Sequence, residues 1–242
     1  MDNTDSSEGG LYLLATPIGN LGDITYRAVK TLQEADLVAA EDTRRARVLL
    51  SHFEISVSTT SYHMHNERQK TKQLLDKVQD GQKVVVLSDA GTPAIADPGF
   101  YIVREAVARG IEPIIIPGVS ALTFAAVACA FPVDQFVFAG FLPVKKGKRK
   151  ARLEALKETG LTSFVFESPY KMDKLLGEIA EVFGEKAIIA VTREATKFYE
   201  ECLRGTVTEI QALYTEKKWK GEIVVAINPR EEETERSCQN GL

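Results

Sequence analysis

Cysteine is scarce in this chain, and its three residues lie apart: Cys129, Cys202 and Cys238 form no CxxC pair. This excludes a disulfide framework and the common zinc spacings, and it points to a reducing cytoplasm as the protein's home. No apolar run reaches the length of a membrane span and no secretory leader opens the chain, so no membrane partner is expected. The nucleotide fingerprints GxGxxG and GxxxxGK(S/T) are both missing, which sets aside dehydrogenase and P-loop chemistry. His63 and His65 would share a face of an extended segment, but no third ligand stands near them, and no metal is expected. The formal net charge is −4, so no global field recruits nucleic acid; such a contact would need a local basic patch.

Against these absences stands one dense stretch, residues 84–99, VVVLSDAGTPAIADPG. The run Val84–Leu87 is unbroken and aliphatic, as expected of a strand buried on both faces. It gives way to Ser88 and Asp89, then to Ala90, Gly91, Thr92 and Pro93, which carry little side-chain bulk. Such a turn at the carboxyl end of a central strand is where open α/β sheets bind ligands. A plain strand-ending turn uses the same residue types. Asp97–Pro98–Gly99 adds a second acidic turn, and Pro117–Gly118–Val119–Ser120–Ala121 repeats the small-residue pattern after the strand at 114–116.

A length of 242 residues, 44% hydrophobic and 26% charged, accommodates one large globular domain or two compact ones. From Leu11 onward a strand followed by a helix recurs five times, which predicts a mostly parallel sheet covered on both faces. Phe131–Asp134 is the expected boundary, giving domains over 11–133 and 134–228, with polar tails at 1–10 and 229–242. Just past it, Lys145, Lys146, Lys148, Arg149, Lys150 and Arg152 make the densest charge run in the chain. Cations disfavour a helix N-terminus, so the run is expected to form a phosphate-binding loop. Later strands end in Glu167–Ser168–Pro169 and in Thr192–Arg193–Glu194, and Thr206 with Glu209 forms a capping-box pattern.

Seven segments together resemble one family. They are TPIGNLGDIT (16–25), AEDTR (40–44), SYHMHNE (61–67), SDAGTPAIADPG (88–99), PGVSA (117–121), FESP (166–169) and TREATKFYEE (192–201). In that order they resemble the RsmI-type small-subunit rRNA (cytidine-2′-O)-methyltransferases of the tetrapyrrole methylase superfamily. The likeness runs from about Leu11 to Ile227. It implies two α/β domains with S-adenosyl-L-methionine (AdoMet) in the cleft between them, a homodimer, and 16S rRNA or the small ribosomal subunit as partner. It also implies cofactor contacts at Asp89, Ala90, Gly91, Thr92, Ile95, Asp97, Ser120 and Ala121, with Phe166 on a wall from the second domain.

Methyl transfer to a ribose 2′-OH needs alignment and gains from a base. Glu194 and Glu167 are the expected candidates, with Arg193 placing a phosphate or orienting a glutamate; an Arg193–Glu194 pair that only braces strands is the alternative. Two other functions stay open. One is methylation of a corrin-type tetrapyrrole or a protein side chain by the same superfamily. The other is a non-catalytic RNA-binding module using the basic run alone.

Overall fold

The computed structural model describes residues 9–217 and 219–228. Most of the expected N-terminal tail and the whole tail at 229–242 lie outside the described residues, while Gly10 already belongs to the first strand. The chain divides after Ser120 into two compact units.

In the first unit, strands and helices alternate: β1 (Gly10–Leu14), α1 (Tyr26–Gln33), β2 (Leu37–Ala40), α2 (Thr43–His52), β3 (Ser58–Ser61), α3 (Glu67–Gln79), β4 (Lys83–Leu87), α4 (Phe100–Ala108) and β5 (Ile114–Ile116). All five strands are parallel, in the order β3-β2-β4-β1-β5, so the aliphatic run of β4 occupies the middle and is fully buried. Alternation along the strands sends Tyr12, Leu14, Val85 and Leu87 to one face, beneath α1 and α2. Leu11, Leu13, Val84 and Val86 go to the other, beneath α3 and α4. Helices α1 and α2 start where short polar side chains cap them: Thr25 Oγ1 accepts from the Ala28 N–H and Asp42 Oδ1 from the Arg44 N–H.

The second unit is built from α5 (Ala121–Ala128), β6 (Phe136–Phe141), α6 (Lys146–Glu158), β7 (Thr162–Glu167), α7 (Met172–Phe183), β8 (Ile188–Arg193), β9 (Glu201–Thr206), α8 (Val207–Glu216) and β10 (Ile223–Ile227). Its sheet runs β6-β7-β10-β8-β9; β6 and β7 are parallel, and the remaining neighbours are antiparallel. Helices α6, α7 and α8 bury Leu153, Leu156, Leu175, Ile179 and Ile210 against one face. The capping box of Thr206 and Glu209 forms at the start of α8.

One expectation needs correction, and one strand comes without a sequence signal. The division falls ahead of α5 rather than at 131–134, because α5 turns Ala125, Ala126 and Cys129 onto Phe164, Ala190, Val224 and Ala226 of the second sheet. And β9, which follows the TREATKFYEE segment, has mixed charge and no apolar alternation to announce it.

Candidate functional site

Because the five strands of the first unit are parallel, their carboxyl ends share one edge. There β1 and β4 are neighbours, yet the helices that follow them lie on opposite faces of the sheet: α1 joins the cluster under one face and α4 the cluster under the other. That divergence is a topological switch point, where the chain leaves a crevice at the strand ends. Thr16 and Gly91 bridge its two sides with reciprocal backbone bonds of 2.9 and 3.1 Å. Ser88 Oγ donates to the Gly91 carbonyl at 3.1 Å, closing the turn on itself. Gly91 holds φ +82°, a left-handed value that a side chain resists. A Cβ there would meet only Ile18, at 3.6 Å, so the backbone angle demands glycine more than crowding does.

Two further residues of the loop, Ala94 and Ala96, also take positive φ, +71° and +64°. Non-glycine residues pay for that conformation, and such strain gathers at ligand-binding segments. Between them Ile95 is 47% exposed. Asp89 is tied down: its Oδ1 accepts the Asp42 N–H at 3.0 Å and its Oδ2 lies 3.5 Å from Arg45. Burial, with Asp89 adding repulsion, pushes the Glu41 carboxyl above the usual range. Arg44 holds the Asp42 carboxyl down to about 2 by hydrogen bonding. On the same edge, Asp23 Oδ2 and His63 Nδ1 are buried without a hydrogen-bond partner. A pocket of about 100 Å³ opens between Thr16, Ala40, Arg45 and Ser88.

Of the remaining expected residues, Ala121 begins α5, Phe166 and Glu167 end β7, and Arg193 and Glu194 end β8, all in the second unit. Phe166 is half-buried and meets Phe138 and Phe141 edge-on at 4.9 and 5.6 Å. Glu167 is not placed to take a proton. It is buried, its Oε2 accepts from Arg149 at 2.7 Å, and its Oε1 accepts the Ser168 N–H at 2.8 Å. Arg149 also donates to Glu178 of α7, so one buried guanidinium joins two carboxylates from two elements.

The basic run therefore differs from expectation. It forms the first turns of α6 instead of a loop, and Arg149, 3% exposed, points into the unit. Those two ion pairs and the burial of Leu153 and Leu156 outweigh the unfavourable cations at the helix start. Lys150 pairs with Glu181, whereas Lys145, Lys146, Lys148 and Arg152 are exposed.

Arg193 pairs with Glu201 across the β8–β9 hairpin, not with Glu194. Glu194 instead takes Lys197 Nζ at 2.9 Å and the Glu222 N–H at 3.1 Å, both on Oε1. Burial raises its pKa, but the Lys197 and Glu222 bonds win and hold the carboxyl below the usual range. Its backbone has φ +50°, and a Cβ on Gly221 would fall 1.9 Å from Oε1, so only glycine can lie beneath that carboxylate.

Comparison with known proteins agrees with this architecture. The family model for tetrapyrrole (corrin/porphyrin) methylases matches residues 10–211, and the chain belongs to that family. Within it, a Mesorhizobium japonicum protein named ribosomal RNA small subunit methyltransferase I is 48% identical over 225 residues, 93% of this chain and 76% of the relative. Proteins of the same name from Thermotoga maritima and Escherichia coli O157:H7 are 43% and 41% identical; this chain is covered to 92% and 93%, and those relatives to 100% and 79%. Among solved structures, cobalt precorrin-4 methyltransferase, a cobalamin biosynthetic enzyme, matches with a TM-score of 0.64 at 22% identity, covering 90% of this chain and 94% of that one. Uroporphyrin III C-methyltransferase from Thermus thermophilus gives 0.64 at 17% identity over 90% of this chain and 97% of its own. At those identities the likeness speaks for the fold alone.

Proposed function

We propose that the protein is an AdoMet-dependent methyltransferase that modifies the ribose 2′-OH of a cytidine in 16S rRNA of the small ribosomal subunit. The observation that carries the reading is the 48% identity, along nearly the whole chain, to a relative named for small-subunit rRNA methylation. The carboxyl edge of the first sheet fits such a cofactor. It offers a switch-point crevice, a glycine turn that brings the small residues Ala90 and Thr92 to the strand ends, a strained segment displaying Ile95, and buried polar atoms of Asp23 and His63 without partners. In this unit Ala90, Gly91, Thr92, Ile95, Asp97 and Ser120 are the proposed contacts, with Asp89 fixing the turn through Asp42 and Arg45. Ala121 and Phe166 are the proposed contacts of the second unit.

AdoMet, when bound, supplies an electrophilic methyl group on its sulfonium. The chain's own task is to align the acceptor and receive its proton. A 2′-OH is a weak nucleophile, for which a positioned base is worth roughly 10²–10⁴-fold. Glu194 is the proposed base. Its Oε1 is occupied by Lys197 and Glu222, which keeps the group ionised at neutral pH and leaves Oε2 to accept the proton. Arg193 acts on the hairpin through Glu201 rather than on the glutamate beside it.

The test is transfer of labelled methyl from AdoMet to naked 16S rRNA, 30S subunits and 70S ribosomes, followed by mapping of the modified nucleotide. Label on a cytidine ribose supports the reading. Label that enters a corrin-type tetrapyrrole or a protein but no rRNA overturns it. Glu194→Gln should keep AdoMet affinity and lower turnover by about 10²–10⁴-fold; a loss below tenfold returns the step to alignment without a base.

A further inference from the structure

Resting on the reading of rRNA as substrate, we infer that Tyr170, Phe198 and Tyr199 form a stacking platform for unpaired bases of that RNA, beside the exposed cations of α6. Strand direction in the second sheet brings these residues to one edge. β6 and β7 are parallel, and β8 runs the same way because both β7 and β8 are antiparallel to β10. The carboxyl ends of β6, β7 and β8 therefore share one edge of the sheet. Everything that follows those strands emerges there: Val144 to Lys148 after β6, Tyr170 and Lys171 after β7, and the tip 194–200 after β8.

The rings on that edge are unusually bare. Tyr170 and Phe198 are each 94% exposed and Tyr199 is 67% exposed. Single exposed apolar side chains are ordinary; three rings on one edge, two of them almost wholly in water, form a patch. The backbone that carries them is tied down. Tyr170 sits in a turn opened by Pro169, whose carbonyl accepts from Tyr214 Oη at 2.8 Å. The β8–β9 tip carries two left-handed non-glycine residues, Glu194 and Thr196. Glu200 accepts the Thr196 N–H at 2.6 Å, and Lys197 bonds both Glu194 and Glu222. Phe198 and Tyr199 meet edge-on at 5.0 Å at the end of this pinned tip. Strain and ion pairs used to hold rings out in water indicate that the rings await a partner with flat faces.

Charge decides which partner. Most acids of the tip are engaged internally: Glu194 and Glu222 on Lys197, Glu201 on Arg193, and Glu200 on the Thr196 N–H. Exposed cations on this edge include Lys145, Lys146, Lys148, Lys171 and Lys220. Bare aromatic rings beside exposed lysines suit a single-stranded polyanion whose bases stack while its phosphates pair with cations. β7 and β8 are separated by one strand, so the turns that carry Tyr170 and Phe198 spring from points about 10 Å apart. That is the reach of one or two nucleotides.

The experiment measures binding of an unstructured cytidine-rich RNA oligonucleotide across a salt series, for wild type, Tyr170→Ala, Phe198→Ala and Phe198→Tyr, with the mass of each protein in solution. Each alanine variant should lose about 5- to 150-fold in affinity, while Phe198→Tyr stays near wild type. Stacking releases no counterions, so the slope of log affinity against log salt should not change. Unchanged affinity in both alanine variants, while the wild type binds and methylates rRNA, overturns the platform and leaves the proposed function standing. A halved mass in the alanine variants also overturns it, since the rings would then cover a second copy of the chain. If the wild type neither binds the oligonucleotide nor transfers methyl to rRNA, the platform falls together with the reading beneath it.

Discussion

Removing the guanidinium of Arg149 should unfold the second unit long before it affects any contact with RNA. Arg149 and Glu167 have side chains 4% exposed and Glu178 one 8% exposed, so all three charges are out of water. The cluster holds one cation for two carboxylates, and its nearest further help is Lys174, 3.9 Å from Glu178 Oε1 and half in solvent. Arg149→Met keeps much of the side-chain volume but leaves two buried carboxylates without their cation. Breaking a buried ion pair in this way costs about 3–5 kcal/mol. At a few degrees per kcal/mol for a unit of this size, the midpoint of unfolding should fall by ~10–20 °C.

The readout is built in, because the chain's one tryptophan, Trp219, lies in the core of the second unit at 7% exposure. Its fluorescence reports the melting of that unit directly. Adding Glu167→Met and Glu178→Met to Arg149→Met removes the stranded charges and should recover most of the loss, since replacing a buried ionic cluster by apolar side chains of similar volume is often neutral. A midpoint within about 3 °C of wild type for Arg149→Met, or no recovery in the triple variant, would refute the claim that this cluster holds α6, α7 and the end of β7 together.

Three other outcomes follow from the same structure. Changing Lys145, Lys146, Lys148 and Arg152 to Ser should flatten the slope of log RNA affinity against log salt by about two to three units and leave the Trp219 melting curve in place; equal slopes would mean the RNA backbone docks elsewhere. Gly91→Val must hold φ +82° against a β-branched side chain, so it should open the Thr16–Gly91 bridge and abolish AdoMet binding by calorimetry in a protein that still folds; unchanged affinity speaks against the turn as a cofactor contact. Glu41→Gln should raise the melting temperature at neutral pH. The pKa of Glu41 is raised by burial and by the charge of Asp89, with a hydrogen bond from the Asp89 N–H, Arg45 and His63 partly offsetting, so the folded state favours the protonated form and loses stability as pH climbs from the ordinary carboxylate range through the raised value. The advantage should vanish below about pH 4, where the glutamate carries its proton in both folded and unfolded chains; an advantage that persists there would point to packing instead.

Much of the first unit could be read from the chain because its residues obey one rule at a time. Val84–Leu87 is apolar on both faces, the turn after it is small, and a parallel sheet follows from five strand–helix repeats. The second unit mixes rules. β9 pairs with β8 through Glu201, Cys202, Leu203 and Arg204, a string with no alternation, and its place is set by the Arg193–Glu201 pair and by Arg204 bonding the Ala128 carbonyl. Such partners are distant in sequence, and no local pattern announces them.

The basic run shows what a signal of the right kind would have looked like. Counting six cations in eight residues says nothing about direction, and a helix turns successive residues through about 100°, so one of the six can face inward while its neighbours face water. Which one does so was written elsewhere, in α7. There Leu175, Leu176 and Ile179 mark the buried stripe, and Glu178 lies within it. An acid on the apolar face of an amphipathic helix must find a cation inside the fold, because an unpaired buried carboxylate is too costly to keep. Glu167, at the end of a buried strand, makes the same demand. Two buried acids thus call for one long, planar, doubly donating cation, and of the nearby charges only an arginine can serve both. Arg149 stands four residues, about one turn, before Leu153, which stands three before Leu156, so it lies on the stripe those leucines bury, whereas Arg152 falls on the exposed side. The inward arginine is therefore a consequence of the acids it meets, and the five cations left outside are those with no acid to answer to within the core.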